Sequence, residues 1–153
     1  MQTLSAYQSH DHARCDALLR QAHLAVGAGC WDDARRAMRA FQHTLERHML
    51  IEEQIIFPAF DLALGHAESP TLGMCAEHLR IRAAAGRLAD AVAAGNSDAF
   101  VKHAETLLLT LHMHSEKEDG VLYPMIDRLL TGRGPELLAA VHAFSAQEAG
   151  TGR

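Results

Sequence analysis

A set of two histidines and one glutamate occurs twice in the chain, at a constant offset. The first set is His12, His48 and Glu52, and adding 66 to each position gives the second set, His78, His114 and Glu118. Neighbouring residues keep the same register, as when Arg14 is matched by Arg80. A repeat of this length is a property of a whole fold rather than of a loop. The sequence therefore predicts one helical hairpin present in two copies.

Glycine, proline and helix-capping residues divide the chain into four long segments with helical composition. The predicted helices run from Thr3 or Ser5 to Val26, from Trp31 through a kink or end at Pro58 to Gly65, from Ser69-Pro70 to Gly95, and from Asn96 to Thr131-Gly132. No segment alternates with a period of two, so strands are not expected. Four long helices with short connections predict an all-α, up-down-up-down four-helix bundle.

The two repeats and the segment after them predict the domain organisation. The bundle is expected at residues 1–133, with repeats at about 1–66 and 67–132, and a short C-terminal helix and tail at 134–153. The C-terminal helix is predicted from Glu136 to Ala146, with a frayed tail from Glu148. It has no counterpart in the first repeat, so we expect it either to cover one end of the bundle or to bind a protein partner.

Composition excludes several classes of protein. The chain has 153 residues, enough for one sizeable core, and its net charge of −5 gives no basic surface for nucleic acid. No segment reaches the ~18 consecutive apolar residues of a membrane span. The N-terminus lacks the basic start and apolar run of a secretory signal, and three cysteines without CxxC spacing fit a reducing compartment. We therefore expect a cytoplasmic protein without a nucleic-acid or membrane partner.

The repeated residues have the chemistry of a metal site. Residues four apart share one helix face, so His48 and Glu52 point the same way, as do His114 and Glu118. Buried glutamates are costly unless a cation lies between them. Four imidazoles and two carboxylates suit a pair of iron ions, although zinc or manganese is possible, and they leave coordination positions free for a small ligand. Ferritin-like bundles use Glu-x-x-His instead, so a histidine-rich centre is favoured.

The order and spacing of these motifs resemble the hemerythrin-like HHE cation-binding family. The matching segments are Asp11-His12, His48-Met-Leu-Ile-Glu52-Glu53 before Phe57-Pro58, Glu77-His78, and His114-Ser-Glu-Lys-Glu118-Asp119 before Leu122-Tyr123-Pro124. The resemblance extends from about Tyr7 to Leu130. It implies an oxo- or hydroxo-bridged di-iron centre inside the bundle, with the four repeated histidines as terminal ligands and Glu52 and Glu118 as bridges.

One departure separates the chain from the oxygen-carrying members of that family. Those proteins have an additional histidine four residues before the position of His78, where this chain has Met74. The four-residue step from His114 to Glu118 also differs from the five-residue step of the carriers. The chain is therefore more similar to the glutamate-bridged branch, which contains sensor and stress-related members.

These features favour a di-iron protein that binds or senses oxygen, nitric oxide or a peroxide. The alternative is an enzyme of oxidative or nitrosative defence, or an iron donor for iron–sulfur repair, that uses the same centre. A second alternative is a structural zinc or manganese bundle. No general acid, nucleophile or second cofactor motif is visible, so no catalytic residue is predicted.

The remaining metal-binding residue types are expected to have ordinary roles. Surface or rim positions are predicted for most of the other histidines, which are His10, His23, His43, His66, His103, His112 and His142. Cys15 and Cys75 are expected to fill the core. The same is expected of Met49, Met74 and Met113. Glu53 and Asp119 are predicted to be helix-surface residues or outer partners of the metal ligands.

Overall fold

A computed structural model describes residues 2–65 and 69–151, and the regular elements in these ranges are all helical. They are α1 (Leu4–Gly27), α2 (Trp31–Ile51), the π-helical turn π1 (Glu52–Ile56), α3 (Phe57–Leu64), α4 (Thr71–Ala93), α5 (Ser97–Lys117), the π-helical turn π2 (Glu118–Leu122), α6 (Tyr123–Leu129), a 3-10 turn (Thr131–Arg133) and α7 (Gly134–Thr151). α2, π1 and α3 form one continuous rod, as do α5, π2 and α6. The predicted all-α bundle with a C-terminal helix is confirmed. Among these described helices, none combines the length and apolarity that a membrane crossing requires.

Each repeat begins with a tight helical hairpin whose turn contains a left-handed glycine. Gly29 has φ 72° between α1 and α2, and Gly95 has φ 64° between α4 and α5. The next residue in each turn donates its N–H back to the preceding helix, from Cys30 to the Ala25 carbonyl and from Asn96 to the Ala91 carbonyl, both at 2.9 Å. This geometry closes a helix and favours glycine at the positive φ.

The two π-turns lie just before two prolines, Pro58, which was expected to kink or end its helix, and its counterpart Pro124. The Phe57 N–H donates to the Glu52 carbonyl, five residues back, and the Tyr123 N–H donates to the Glu118 carbonyl. A proline removes one N–H and crowds the carbonyl four residues before it, and a wider turn accommodates that crowding. The rod therefore does not end at Pro58 but continues to Leu64.

Equivalent aspartates tie the end of each repeat to the start of the other. Asp61 at the end of the first repeat accepts hydrogen bonds from the Thr71 hydroxyl, with both oxygens at 2.9 Å. Asp127 at the end of the second accepts one from the Ser5 hydroxyl. Adding 66 to 5 and 61 gives 71 and 127, so the two contacts are the same contact in the two copies. These two contacts join the two hairpins to each other.

The C-terminal helix covers the end of the bundle away from the hairpin turns. Its buried residues Leu137 and Val141 join an apolar cluster that contains Leu4, Ile51 and Ile56. α7 extends from Gly134 to Thr151, so it is longer than the predicted Glu136 to Ala146. Residues from Glu148 to Thr151, which were predicted to lie in a frayed tail, belong to this helix in the structure.

Candidate metal centre

The structure brings all six repeated residues together in the middle of the bundle. The helices α1, α2, α4 and α5 each supply one histidine, and Glu52 and Glu118 are the first residues of π1 and π2. Both glutamates and His78 are completely buried. Apolar clusters lie on both sides of this polar layer, one towards the hairpin turns and one towards α7. Four imidazoles and two carboxylates therefore lie in a largely water-excluded site.

The donor atoms form two overlapping groups, in each of which all ligand atoms lie within 4.8 Å of one another. The four-donor set consists of Glu52, His78, His114 and Glu118, and the three-donor set consists of His12, His48 and Glu118. Glu118 belongs to both. The two groups thus provide two adjacent positions for cations with a shared carboxylate.

The glutamate oxygens lie between histidines of different repeats. The Oε1 atom of Glu52 is 3.1 Å from the Nε2 atom of His48 and 3.4 Å from that of His78. Glu118 Oε1 is 3.0 Å from His12 Nε2 and 3.1 Å from His114 Nε2. Such positions between two imidazoles are those expected of carboxylates that bridge two ions.

Several of these atoms have no hydrogen-bond partner among the described residues. They are Glu52 Oε1, His78 Nε2, His114 Nε2 and Glu118 Oε2, and all are buried. A buried polar atom without a partner is costly in a folded protein. Bound cations would satisfy all four, so the residues present fit a metal centre.

A layer of outer carboxylates surrounds the histidines. The Nδ1 atom of each ring faces one of them, with Glu77 at 2.7 Å from His114, Glu53 at 3.1 Å from His78, Asp119 at 3.1 Å from His12 and Asp11 at 3.7 Å from His48. An Nδ1–H that donates to a carboxylate leaves the Nε2 lone pair directed at the metal. The prediction that Glu53 and Asp119 are outer partners is supported by this geometry.

Sequence reasoning had not assigned Asp11 and Glu77 to this layer. Adding 66 to 11 and 53 gives 77 and 119, so the outer carboxylates repeat in the same register as the ligands. Asp11 and Glu77 face a histidine of their own repeat, whereas Glu53 and Asp119 face a histidine of the other one. The repeat register was the signal that could have identified both missing residues.

The groups that hold the outer carboxylates do not repeat. Arg47 contacts Asp11 at 3.1 Å, and Lys117 contacts Glu77. Arg82 donates to Glu53 at 2.9 Å and to Glu46, and the Ser9 hydroxyl donates to Asp119 at 2.6 Å. The positions 66 residues away from Arg47, Arg82 and Lys117 carry no positive charge. The repeat is therefore strict in the two inner layers and lost in the outermost one.

The buried charged groups of the site shift one another's pKa values. Burial opposes the ionisation of Glu118, but hydrogen bonds with Glu52 and His114 hold its pKa well below its usual value. Burial also opposes protonation of His48, yet the charge of Glu52 and the Asp11 carboxylate raise the pKa of His48 well above its usual value. The site therefore combines a strong anionic donor with an imidazole whose proton a metal ion must displace.

An aromatic pair flanks the ligands, and its two members differ. Tyr123 stacks on His12 with ring centroids 5.8 Å apart, and Phe57 stacks on His78 at 6.0 Å. The Tyr123 hydroxyl donates to the Oε2 atom of Glu52 at 3.1 Å. Burial and the charges of Glu52 and Glu118 raise the pKa of Tyr123 well above its usual value, so the phenol stays protonated. The sequence had paired Phe57 with Tyr123 without placing either in the site.

A small cavity of about 20 Å³ lies against the imidazoles on the side of the hairpin turns. Besides the imidazoles and Asp16, its lining consists of three pairs of residues at the repeat offset, which are Cys15 with Ile81, Leu45 with Leu111 and Met49 with Ser115. Burial raises the pKa of the Cys15 thiol to about 11, so this thiol is neutral and packs as a small apolar group. The prediction that Cys15 fills space is supported, at a place that adjoins the ligands.

The other predicted positions have mixed outcomes. Five of the remaining histidines are exposed, namely His10, His23, His43, His112 and His142; His103 is half-buried and His66 lies outside the described residues. Met49 and Met74 are buried as expected. The prediction for Met113 is wrong, because this residue is rotated away from the face of its neighbour His114 and is half exposed. Cys75 is only partly buried.

A buried site of histidines and glutamates inside a four-helix bundle defines a metal-binding bundle protein. The chain matches the family model described as the hemerythrin HHE cation-binding domain over residues 3–143. Because the match spans nearly the whole chain, the chain belongs to this family. Searches of the curated proteins and of the solved structures returned no significant match.

Proposed function

We propose that the chain holds two iron ions between its repeats and that this centre binds a small ligand, such as oxygen, nitric oxide or a peroxide, as a sensor. The observation that carries the proposal is the pair of donor sets that share Glu118, with unpartnered buried donor atoms directed between them. Four imidazoles with carboxylate bridges suit iron better than harder or softer cations. The arrangement supports membership of the glutamate-bridged branch, with His12, His48, His78 and His114 as terminal ligands and Glu52 and Glu118 as bridges.

The dimensions of the site support a ligand of a few atoms. The cavity beside the ligands has a volume of about 20 Å³, and a cavity of roughly 10–15 Å³ already holds one water molecule. Its lining includes the apolar side chains of Leu45, Ile81 and Leu111, which suit an apolar diatomic molecule. A larger organic substrate does not fit there. When iron is bound, it supplies the redox-active position at which such a ligand attaches.

The C-terminal helix is the part of the molecule best placed to pass a signal to a protein partner. α7 packs against α1, α2 and π1, and π1 begins at the ligand Glu52. A shift of Glu52 on ligand binding would therefore reach the surface through α7. Hydrogen exchange of residues 134–151 should change when the reduced, metal-loaded protein binds its ligand. Unchanged exchange there would remove α7 from the proposal.

The free thiols support a reducing compartment such as the cytoplasm. Cys15, Cys30 and Cys75 are unpaired in the described part of the chain, and Cys30 is exposed. Exposed thiols persist where glutathione and thioredoxin keep them reduced.

Metal analysis combined with optical spectra tests the proposal directly. Anaerobically reduced protein should contain two irons per chain and should gain oxo-bridge absorption when oxygen is added. His43→Gln is the matched control for His48→Gln, because His43 is exposed and precedes the site on the same helix. The control should keep both irons, and His48→Gln should lose metal. Stoichiometric zinc without an oxygen-dependent band would contradict the proposal.

A turnover assay separates a sensor from an enzyme that uses the same centre. The reduced protein is mixed with peroxide or nitric oxide and a small electron donor, and the loss of the ligand is followed. A sensor should bind one equivalent and stop. Continued loss at a rate proportional to the donor concentration would replace the sensing proposal with the defence enzyme.

A further inference from the structure

The repeat is broken at positions 57 and 123, where aromatic rings stack on two of the candidate ligands. Phe57 and Tyr123 are separated by the constant offset and pack in the same way on His78 and His12. Tyr123 differs by a hydroxyl, which lies 3.4 Å from His48 Nε2 and 3.5 Å from His12 Nε2. These are the two histidines of the three-donor set. Phe57 brings no polar atom to the other side of the centre.

The hydroxyl makes the two glutamates unequal. Each glutamate has one oxygen without a hydrogen-bond partner among the described residues, Oε2 of Glu118 and Oε1 of Glu52. The other oxygen of Glu118 faces the imidazoles of His12 and His114, whereas the other oxygen of Glu52 accepts a hydrogen bond from the Tyr123 hydroxyl at 3.1 Å. A lone pair engaged by a buried phenol is a weaker donor to a metal ion. Glu118 therefore offers two oxygens to cations, and Glu52 offers one that the phenol does not hold.

We propose that Tyr123 is a positioning residue that makes the two metal positions unequal, because its hydroxyl withholds one oxygen of Glu52 from the ion at His12 and His48. That ion is bound more weakly, enters second and leaves first. The inference rests on the two-ion centre proposed above. Two equal sets of candidate ligands are what the six repeated residues alone predict, and Tyr123 departs from that symmetry in direct contact with Glu52.

Stepwise loading of the metal-free protein with Co²⁺ tests the inference. The wild type should bind two ions in separate steps whose affinities differ by about 10- to 100-fold, the usual range for a changed partner of a metal ligand. In Tyr123→Phe the two steps should converge towards one. Tyr7→Phe is the matched control, because its hydroxyl contacts Ser145 and not the site, and it should leave both steps unchanged.

Moving the hydroxyl to the other repeat reverses the expected order. In crystals loaded with one equivalent of Co²⁺, the anomalous peak of the wild type should lie at His78 and His114. In the double variant Phe57→Tyr, Tyr123→Phe the new hydroxyl faces Glu118, and the peak should move to His12 and His48. If the double variant does not fold, the peaks of Tyr123→Phe decide, since they should be of equal height at both positions.

The possible failures can be told apart. A wild-type protein that binds no cobalt would overturn the proposed two-ion centre. Two equal steps in the wild type, or an unchanged gap in Tyr123→Phe, would overturn the role of Tyr123 and leave the two-ion centre standing. Loss of both steps in Tyr123→Phe with a normal helical spectrum would also overturn it, since that result makes Tyr123 necessary for both ions.

Discussion

In the first repeat the outer carboxylate Asp11 is held by Arg47 and stands 3.7 Å from its histidine, whereas in the second the equivalent Glu77 is held by Lys117 and stands at 2.7 Å. The longer glutamate side chain reaches its imidazole, whereas the shorter aspartate is too far from His48 for a hydrogen bond to that ring. The two repeats have the same candidate ligands, but the contacts between the outer carboxylates and the histidines differ in length.

The difference extends through the layers around the centre. The candidate ligands are identical in the two repeats. The outer positions carry a carboxylate in both, although aspartate and glutamate are exchanged. The basic side chains that contact these carboxylates are unrelated. The constraint thus falls with distance from the centre, since a bound ion fixes donor atoms more tightly than it fixes their supports. Tyr123 is the exception, because it breaks the repeat in direct contact with Glu52.

Exchanging the two glutamates for glutamine should give the largest contrast between the repeats. Glu118 belongs to both donor sets and Glu52 to one. Glu118→Gln should therefore lose more metal than Glu52→Gln does. Metal content after dialysis measures this directly, and circular dichroism checks that both variants fold. Equal metal loss in the two variants would show that the glutamates act alike.

The outer carboxylates should show a smaller contrast in the same direction. Glu77→Gln removes a 2.7 Å contact with His114 and should lower metal affinity by about 10- to 100-fold. Asp11→Asn removes only a 3.7 Å contact with His48 and should cost less. Competition with a chelator gives both affinities. A larger loss in Asp11→Asn would mean that the aspartate supports the site through Arg47 rather than through the histidine.

The pH dependence should reverse between the metal-free and metal-bound protein. The pKa of His48 is raised well above 6.5 in the folded chain, so its proton stabilises the metal-free fold below that value and this contribution is lost as pH rises through the folded pKa. Metal must displace the proton, so affinity should rise up to about tenfold per pH unit in the same window.

Thermal unfolding with chelator and with metal measures both slopes. Burial opposes protonation of His114, but Glu118 and Glu77 raise its pKa as well. His48→Gln and His114→Gln should therefore each flatten the metal-free slope. An unchanged slope in both variants would show that neither imidazole carries the displaced proton.

The smallest contrast concerns a cation that only the second repeat has. Arg82 donates to Glu46 and Glu53 and so ties α4 to α2, and the equivalent position in the first repeat is Asp16. Arg82→Met should lower the free energy of unfolding of the metal-free protein by about 1–2 kcal/mol. Arg36→Met, at an exposed arginine that pairs with Asp33, should change it by no more than about 0.5 kcal/mol. Urea unfolding compares the two, and equal effects would reduce Arg82 to a surface pair.

The helices and the ligand candidates could be predicted because their signals are local or repeated. Glycine, proline and capping residues mark the ends of α1, α4 and α5, and the constant offset brought the six candidates forward without a structure. Tyr123 could not be assigned in this way. In an α-helix a residue five positions after Glu118 lies about 140° around the axis from it. In the π-turn the Tyr123 N–H instead donates to the Glu118 carbonyl. The sequence did not distinguish such a wider turn from a kink or an end at the proline that follows it.

The π-turns also carry information about ancestry. A π-turn accommodates one residue more than the α-helical turn that it replaces. Both copies have it at the same place, at Glu52–Ile56 and Glu118–Leu122. An extra residue shared in this way is most simply inherited, so it entered a single hairpin before the gene doubled. That ancestral hairpin already had the carboxylate at the start of its widened turn, and two identical copies of it, paired across a twofold axis, would have made a complete centre.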